Sequence, residues 1–385
     1  MSEAPSGFIP PTYPYDRLAP IEAICEALPG GMVDLSVGTP GDPPPPQVVE
    51  ALGTSGAERG YPPSLGSPRL LEAARAYVGR RFDVELERRH VAICIGTKEF
   101  VAGIPQWLKL RDPSRDTVLY PGIAYPTYEM GALLAGCRAV AVAARADGSL
   151  DLDSVSEADA ARALCLWLNS PSNPTGALDD LGAAAAWGRA RGVPVLSDEC
   201  YAEYTWEGRP RTILEHGTEG LLAVHSISKR SNCAGLRVGF YAGDPELVHY
   251  LVEVRRHAGF MVPGPIQLAG ALALEDDAHV AEQRARYLTR LERVVEMLSG
   301  VGVKASIAGG SFYLWVPAPD DERSSEREEG EGPEWGFTRW LARTAGMLVS
   351  PGDFYGPAGR GYVRIAVVQP DERIELAAER LAAAG

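Results

Sequence analysis

Between Val91 and Asp244 the chain repeats one pattern: a short apolar run rich in Val, Leu and Ile, a turn, and then a polar or helical stretch. The runs are VAICIG (91–96), TVLYPG (117–122), AVAVAA (139–144), ALCLWLNS (163–170), VPVLSDE (193–199), LAVHSIS (222–228) and RVGFYAGD (237–244). Continuous apolar strands without alternation suit a sheet covered on both faces. Several intervening segments read as helix, and one of them, LDDLGAAAAWGRARG, ends in a glycine suited to a helix C-cap. The seven runs predict an α/β unit on a mostly parallel seven-stranded sheet.

Beyond Asp244 the period changes. PELVHYLVEVRRHAG and GPIQLAGALALEDDAHVAEQRARYLTRLERVVEMLSG carry helical apolar spacing on either side of a turn at Met261 to Gly264, and together they read as a connector to a second unit. The tail offers a strand-pair signal in KASIAGGSFYLWVP, a helix in FTRWLARTAG, a strand in YVRIAVV and a last helix in DERIELAAERL, which fits a smaller α+β domain. The expected division is an N-terminal arm with part of the small domain over 1–35, a large domain over 36–260 and a small C-terminal domain over 261–385. Between Asp320 and Glu334, DDERSSEREEGEGPE holds eight acids, two bases and no apolar residue, the composition of a mobile solvated loop.

Composition narrows the function classes. With 385 residues, 45% hydrophobic and 23% charged, the chain falls in the range of globular proteins and can bury a large core without a disulfide or metal staple. The net charge of −14 and the lack of a basic stripe argue against nucleic acid or an anionic membrane as partner. Apolar stretches such as Ala183 to Trp187 fall far short of the ~20 residues a bilayer span needs. MSEAPSGFIPPTYPYDRLAP has neither the basic n-region nor the apolar h-region of a signal peptide, so a cytoplasmic protein is expected. Cys25, Cys94, Cys137, Cys165, Cys200 and Cys233 are widely spaced with no C-x-x-C, so no metal site is expected, and most read as small buried hydrophobes.

In an open parallel sheet, ligands bind beyond the carboxyl ends of the strands. Strand VAICI leads into Gly96-Thr97-Lys98-Glu99, a small-residue turn opening a helix, whose free N–H groups make an anion site. TVLYPG leads to Tyr125, ALCLWLNS to Asn173 in PSNPTG, VPVLSDE to Asp198, and LAVHSIS to Ser226, Ser228 and Lys229. Singly, each is an ordinary turn, cap or solvated side chain. Together they deliver an aromatic face, an amide, a carboxylate, hydroxyls and an amine to one edge. Arg237 follows Lys229 across Asn232, Ala234 and Gly235, which would turn the chain back towards the same anion site.

Eight ordered motifs spread over nearly the whole chain carry a family resemblance: LSVGTPGDPPP (35–45), YPPSLGSPRLLEA (61–73), IGTKEF (95–100), YPGIAYPTYE (120–129), LNSPSNPTG (168–176), SDECYAEY (197–204), SISKRSNCAGLRVG (226–239) and YVRIAV (362–367). The chain resembles the class I and II aminotransferases, pyridoxal-phosphate enzymes of the aspartate aminotransferase fold, also called fold type I. The resemblance implies pyridoxal 5′-phosphate as cofactor, with Lys229 as its Schiff-base lysine and as general base, and Asp198 as partner of the pyridinium nitrogen. It implies that Asn173 and Tyr201 donate to the phenolic oxygen, that Tyr125 stacks on the ring, and that Gly96, Thr97, Lys98, Ser226 and Arg237 surround the phosphate. It also implies that Tyr61 reaches the phosphate from a neighbouring subunit of a homodimer, and that Arg364, Asn173 and the backbone at Gly38 grip the substrate α-carboxylate. Cys233 stands where the lysine motif usually has a larger aliphatic residue, a departure that touches packing.

Within the family, DLSVGTP with SPSNPTG, SDECY, HSISKRSN, RRHAGFMVP and SPGDFYGPAG is similar to actinobacterial succinyldiaminopimelate transaminases. That similarity implies amino transfer between glutamate and N-succinyl-diaminopimelate or its oxo acid, in lysine and diaminopimelate biosynthesis, with a distal carboxylate met by one of Lys98, Arg230, Arg255, Arg256 or His257. Aminotransferases of aspartate, alanine or broad specificity share the same catalytic residues, and a carbon–sulfur β-lyase could use the same lysine and arginine. A DNA-binding regulator on this fold would need an N-terminal winged-helix extension, for which about 30 residues before DLSVGTP leave no room. A nicotinamide dehydrogenase would need G-x-G-x-x-G after the first strand, which is missing.

Overall fold

The computed structural model describes residues 7–384. Residues 1–6, which carry the start of the expected N-terminal arm and of the leader reading, lie outside the described residues.

The seven apolar runs are seven strands of one sheet, in the spatial order Val91–Cys94, Gly239–Gly243, Leu221–Ser226, Val195–Asp198, Ala163–Asn169, Thr117–Pro121, Arg138–Val142. The pairings are parallel except those made by Gly239–Gly243, which runs against both its neighbours. Every residue of Ala163–Asn169 is buried, because helices cover both faces. Each large aliphatic side chain so buried contributes about 1.5–3 kcal/mol. One core on the sheet gathers Leu166, Leu168, Val195 and Phe240 with Leu70, Leu71 and Val78 of the helix Pro68–Phe82. A second gathers Val118, Trp167, Leu196 and Tyr241 with Phe100 and Ile104 of the helix Thr97–Arg111. The alternation of side chains along each strand sends neighbours such as Trp167 and Leu168 to opposite cores. The LDDLGAAAAWGRARG segment forms the helix Leu181–Arg191, ended by Gly192 at φ 59°.

The expected connector is a helix Pro245–His257 followed by two further helices, Gly264–Glu275 and Ala278–Gly300. The break falls at Asp276–Asp277, where the Asp276 carboxylate accepts from the Ala278 N–H at 2.8 Å and so stops one helix and starts the next. A three-stranded sheet then places Tyr362–Ala366 between Ser350–Pro351 and Tyr313–Pro317. Near the other end of the chain, Val33–Asp34 pairs in parallel with Met347–Leu348. The core here joins Val33 and Leu35 to Phe312, Leu314, Phe337, Leu341 and Ile365.

Two expectations fail. KASIAGGSFYLWVP supplies one strand and no hairpin. The partner of Tyr313–Pro317 is Tyr362–Ala366, and the glycine pair serves instead as a close approach: Gly310 N donates to the Gly176 carbonyl at 2.9 Å, and a Cβ on Gly310 would stand 2.5 Å from Pro171. The acidic segment is exposed over 325–330, as expected of a solvated loop, but where mobility was expected it is tied down. Glu331 accepts from Arg339 at 2.6 Å, Glu326 pairs with Arg343, Arg360 donates to the Gly330 carbonyl, and Glu334 is fully buried while accepting from Gly361 N at 2.8 Å. Three of its acids thus have partners or burial that composition does not reveal.

Candidate active site

A cleft of ≈ 530 Å³ opens where the carboxyl ends of the parallel strands meet the C-terminal sheet, a size typical of small-molecule sites. Five strands bring residues to it at or just beyond their carboxyl ends: Thr97 and Lys98 after Val91–Cys94, Tyr125 and Tyr128 after Thr117–Pro121, Asn173 after Ala163–Asn169, Asp198 at the end of Val195–Asp198, and Lys229 after Leu221–Ser226. Arg237 joins them because Gly239–Gly243 is reversed. Its beginning lies beside the ends of its neighbours, Gly239 being paired with both Cys94 and Ser226. Gly38, Tyr201, Ser226 and Arg364 also line the cleft.

At its centre the Lys229 amine donates to the Gly38 carbonyl. Burial lowers its pKa to about 8, and the guanidinium groups of Arg364 and Arg237 push in the same direction. Asp198 accepts from the Tyr128 hydroxyl at 2.9 Å and from Cys200 N at 3.2 Å. Burial raises its carboxyl pKa, and those hydrogen bonds oppose the rise. Arg364 is 1% exposed. Its Nη1 donates to Asn173 Oδ1 at 2.7 Å and its Nη2 to Tyr15 at 3.2 Å and to the Ser36 carbonyl, while its Nε is a buried donor without a partner among the described residues. The guanidinium carbon lies 4.2 Å from the centre of the Tyr313 ring. Tyr201 shares a 2.9 Å hydrogen bond with Tyr313.

The anion end is built on the helix Thr97–Arg111, whose N-cap Gly96 provides no capping side chain. Gly96 itself does not line the cleft. It stands behind Arg237 at φ 73°, and a Cβ there would overlap the guanidinium, so only glycine lets the arginine lie across this helix start. Tyr61 is also outside the cleft, with 96% of its surface exposed.

Of the five cations considered for a distal carboxylate, Lys98 lines the cleft. Arg230 is buried against Glu203 and Asp277, Arg255 is 2.5 Å from Glu99, and Arg256 pairs with Glu253; none of these arginines lines the cleft, nor does His257. Each arginine's acidic partner makes it a structural ion pair instead. Sequence reasoning missed Tyr13, Tyr15, Tyr128 and Tyr313. Tyr128 was recoverable from its spacing of three from Tyr125, which puts both on one side of a helical turn, whereas Tyr13 and Tyr15 reach the cleft through a path that no local pattern encodes.

The family's sequence model, described as aminotransferase class I and II, matches residues 30–381. A probable aminotransferase of Mycobacterium tuberculosis is 43% identical, covering 96% of this chain and 85% of its own length. The 4-dedimethylamino-4-oxo-anhydrotetracycline transaminase OxyQ of Streptomyces rimosus is 42% identical, covering 96% of this chain and 99% of its own length. Among solved structures, a probable N-succinyldiaminopimelate aminotransferase of Thermus thermophilus superposes with a TM-score of 0.83 at 30% identity, covering 96% of this chain and 100% of the other. The chain belongs to the class I and II aminotransferases, and its fold is their fold type I. It is a pyridoxal-phosphate-dependent transaminase. The donor set fits that cofactor: a buried carboxylate for a ring nitrogen, a buried amine of lowered pKa for an aldehyde, an uncapped helix start with Thr97, Ser226 and Arg237 for a phosphate, and the unpartnered Arg364 Nε for a substrate anion.

Proposed function

We propose that the cleft transfers an amino group between a dicarboxylic amino acid of the glutamate type and a 2-oxo acid, with N-succinyl-diaminopimelate and its oxo acid as the longer pair. Bound pyridoxal phosphate supplies the electron sink for the carbanion left when the α-proton departs. Arg364, with Asn173 and the Gly38 backbone, grips the substrate α-carboxylate and so fixes which Cα bond faces the amine. Lys229 anchors the cofactor through its amine, then takes up and returns the α-proton as general base, a role its lowered pKa suits near neutral pH. Asp198, held by the Tyr128 hydroxyl, would partner the ring nitrogen and keep it protonated. Asn173 and Tyr201 serve the phenolic oxygen, Tyr125 covers the ring face, and Thr97, Ser226 and Arg237 hold the phosphate.

The observation that carries the dicarboxylate reading is the place of Lys98. Its amine donates to the Tyr13 hydroxyl at 3.3 Å and lies 5.4 Å from the centre of the Tyr125 ring, so it is held among the cleft's tyrosines. A carboxylate drawn out of water needs such a partner. The Thermus relative's name supports the same reading. A second reading, amination of a polycyclic ketone, draws support from the Streptomyces relative and from the wall of Tyr13, Tyr15, Tyr125 and Tyr313.

A substrate panel on the purified holoenzyme separates the two. Glutamate and succinyl-diaminopimelate should exceed alanine and phenylalanine in kcat/KM, and Lys98→Met should cut the dicarboxylate values by roughly tenfold, about 1.4 kcal/mol, while sparing alanine. Equal kcat/KM for alanine and the dicarboxylates overturns the first reading. A polycyclic ketone accepted where the succinylated oxo acid is refused establishes the second.

A further inference from the structure

The three residues that follow Lys229 are all tied to one place outside the cleft, the junction between the helices Gly264–Glu275 and Ala278–Gly300. Arg230 is 3% exposed. Its Nε donates to Glu203 at 3.3 Å, its Nη1 to the Ala273 carbonyl and to Ser231 Oγ at 3.4 Å, and its Nη2 to the Asp276 carbonyl at 3.2 Å and to Asp277 at 2.5 Å. A guanidinium has five N–H donors, and here each faces an acceptor. The next residue, Ser231, shares a 2.9 Å hydrogen bond with His279, and Asn232 donates to Gln283 at 3.1 Å.

The acceptors are themselves held. Arg81 donates to Glu203 at 2.8 Å and Arg80 to Asp277 at 3.0 Å. From the core shared with Tyr287 of the helix Ala278–Gly300, the Tyr204 hydroxyl donates to the Lys229 carbonyl at 2.8 Å. The same helix Ala278–Gly300 also grips the other partner of the lysine amine: Gln283 and Arg290 donate to Asp42 at 2.7 and 2.6 Å, four residues beyond Gly38. One helix thus frames both the main chain that carries Lys229 and the segment whose carbonyl meets its amine.

We propose that Arg230 is a positioning residue for Lys229, fixing the lysine main chain on the Asp276–Asp277 junction so that the amine moves between cofactor and substrate proton about a stationary backbone. This rests on the reading of Lys229 as cofactor anchor and general base. Truncation of such a buried, paired charge removes more than packing, and a displacement of about 1 Å at a reacting group costs up to ~100-fold in rate.

The test uses the holoenzyme with Arg230→Lys, which keeps the charge but brings three donors to five acceptors, and Asp277→Asn, which keeps an acceptor at a partly exposed position. Active sites are counted by borohydride trapping of the cofactor on Lys229. Per trapped site, kcat with glutamate should fall at least tenfold in Arg230→Lys and less in Asp277→Asn, with KM within twofold of the parent because Arg364 and Asn173 are untouched. Amide hydrogen exchange over 227–233 should quicken in both variants. Unchanged kcat per trapped site in a folded Arg230→Lys overturns the proposal, as does a raised KM at constant kcat, which would put Arg230 in contact with substrate. Should Arg230→Lys fail to fold, Asp277→Asn decides by the same two readouts. A label on another lysine in the parent enzyme overturns the reading of Lys229 and this inference with it.

Discussion

A lysine amine ordinarily keeps its proton up to about 10.5, and Lys229 releases it at about 8 because burial strips water from the ammonium. That shift is also a statement about stability. In the cofactor-free protein the unfolded chain binds a proton more tightly than the folded one between pH 8 and 10.5, so this group opposes folding fully below pH 8 and the opposition fades as pH rises through that window. Lys229→Met should therefore stabilise the cofactor-free protein at pH 7, by up to roughly 3 kcal/mol, and the advantage should shrink towards pH 10.5. Urea unfolding of both proteins at pH 7 and pH 10 measures it. An advantage that does not change with pH would mean that the folded protein leaves the amine its ordinary pKa.

The helix Thr97–Arg111 owes its ligand-facing end to Gly96, whose φ of 73° and missing Cβ let Arg237 cross the helix start. Gly96→Ala forces a residue with a side chain into a backbone region that is essentially glycine's alone, at roughly 1–3 kcal/mol, and pushes the guanidinium away. Cofactor affinity should fall at least tenfold in equilibrium dialysis, with a Tm loss of a few degrees; an unchanged affinity would separate Arg237 from the phosphate. At this scale much was legible. All seven strand runs were visible because a sheet covered on both faces must be apolar at every position, and the loops at their ends could be read for chemistry because topology sends them to one edge. The reversal of Gly239–Gly243 was hidden, since a strand's direction leaves no trace in its period. The glycine pair Gly309–Gly310 looked like a turn because small residues serve turns and close approaches alike. The acidic segment looked untethered and Arg230 looked available to substrate for one reason: an ion pair between different elements, such as Arg230 with Asp277 or Arg343 with Glu326, leaves no mark in the composition or period of either segment.

At the scale of the molecule, the cleft accounts for every residue the family resemblance assigns to cofactor or substrate except Gly96 and Tyr61. Gly96 acts through Arg237, and Tyr61 stands 96% exposed at a motif position that the family resemblance assigns to a neighbouring subunit. We expect that neighbour to be a second copy of this chain, each subunit lending its Tyr61 to the phosphate end of the other site across a two-fold axis. Complementation between two defective proteins tests this directly. Tyr61→Ala removes the lent residue and Lys229→Ala removes the lysine, so each homodimer should be nearly inactive. When the two are unfolded together and refolded, a mixed dimer gathers both defects in one of its sites and leaves the other intact, because the residues of one site come from different chains. Random pairing makes half of the dimers mixed, so activity should return to about a quarter of the parent value. If Tyr61 served the cleft of its own chain, or the chain worked as a monomer, every site would keep one of the two defects and mixing would restore nothing.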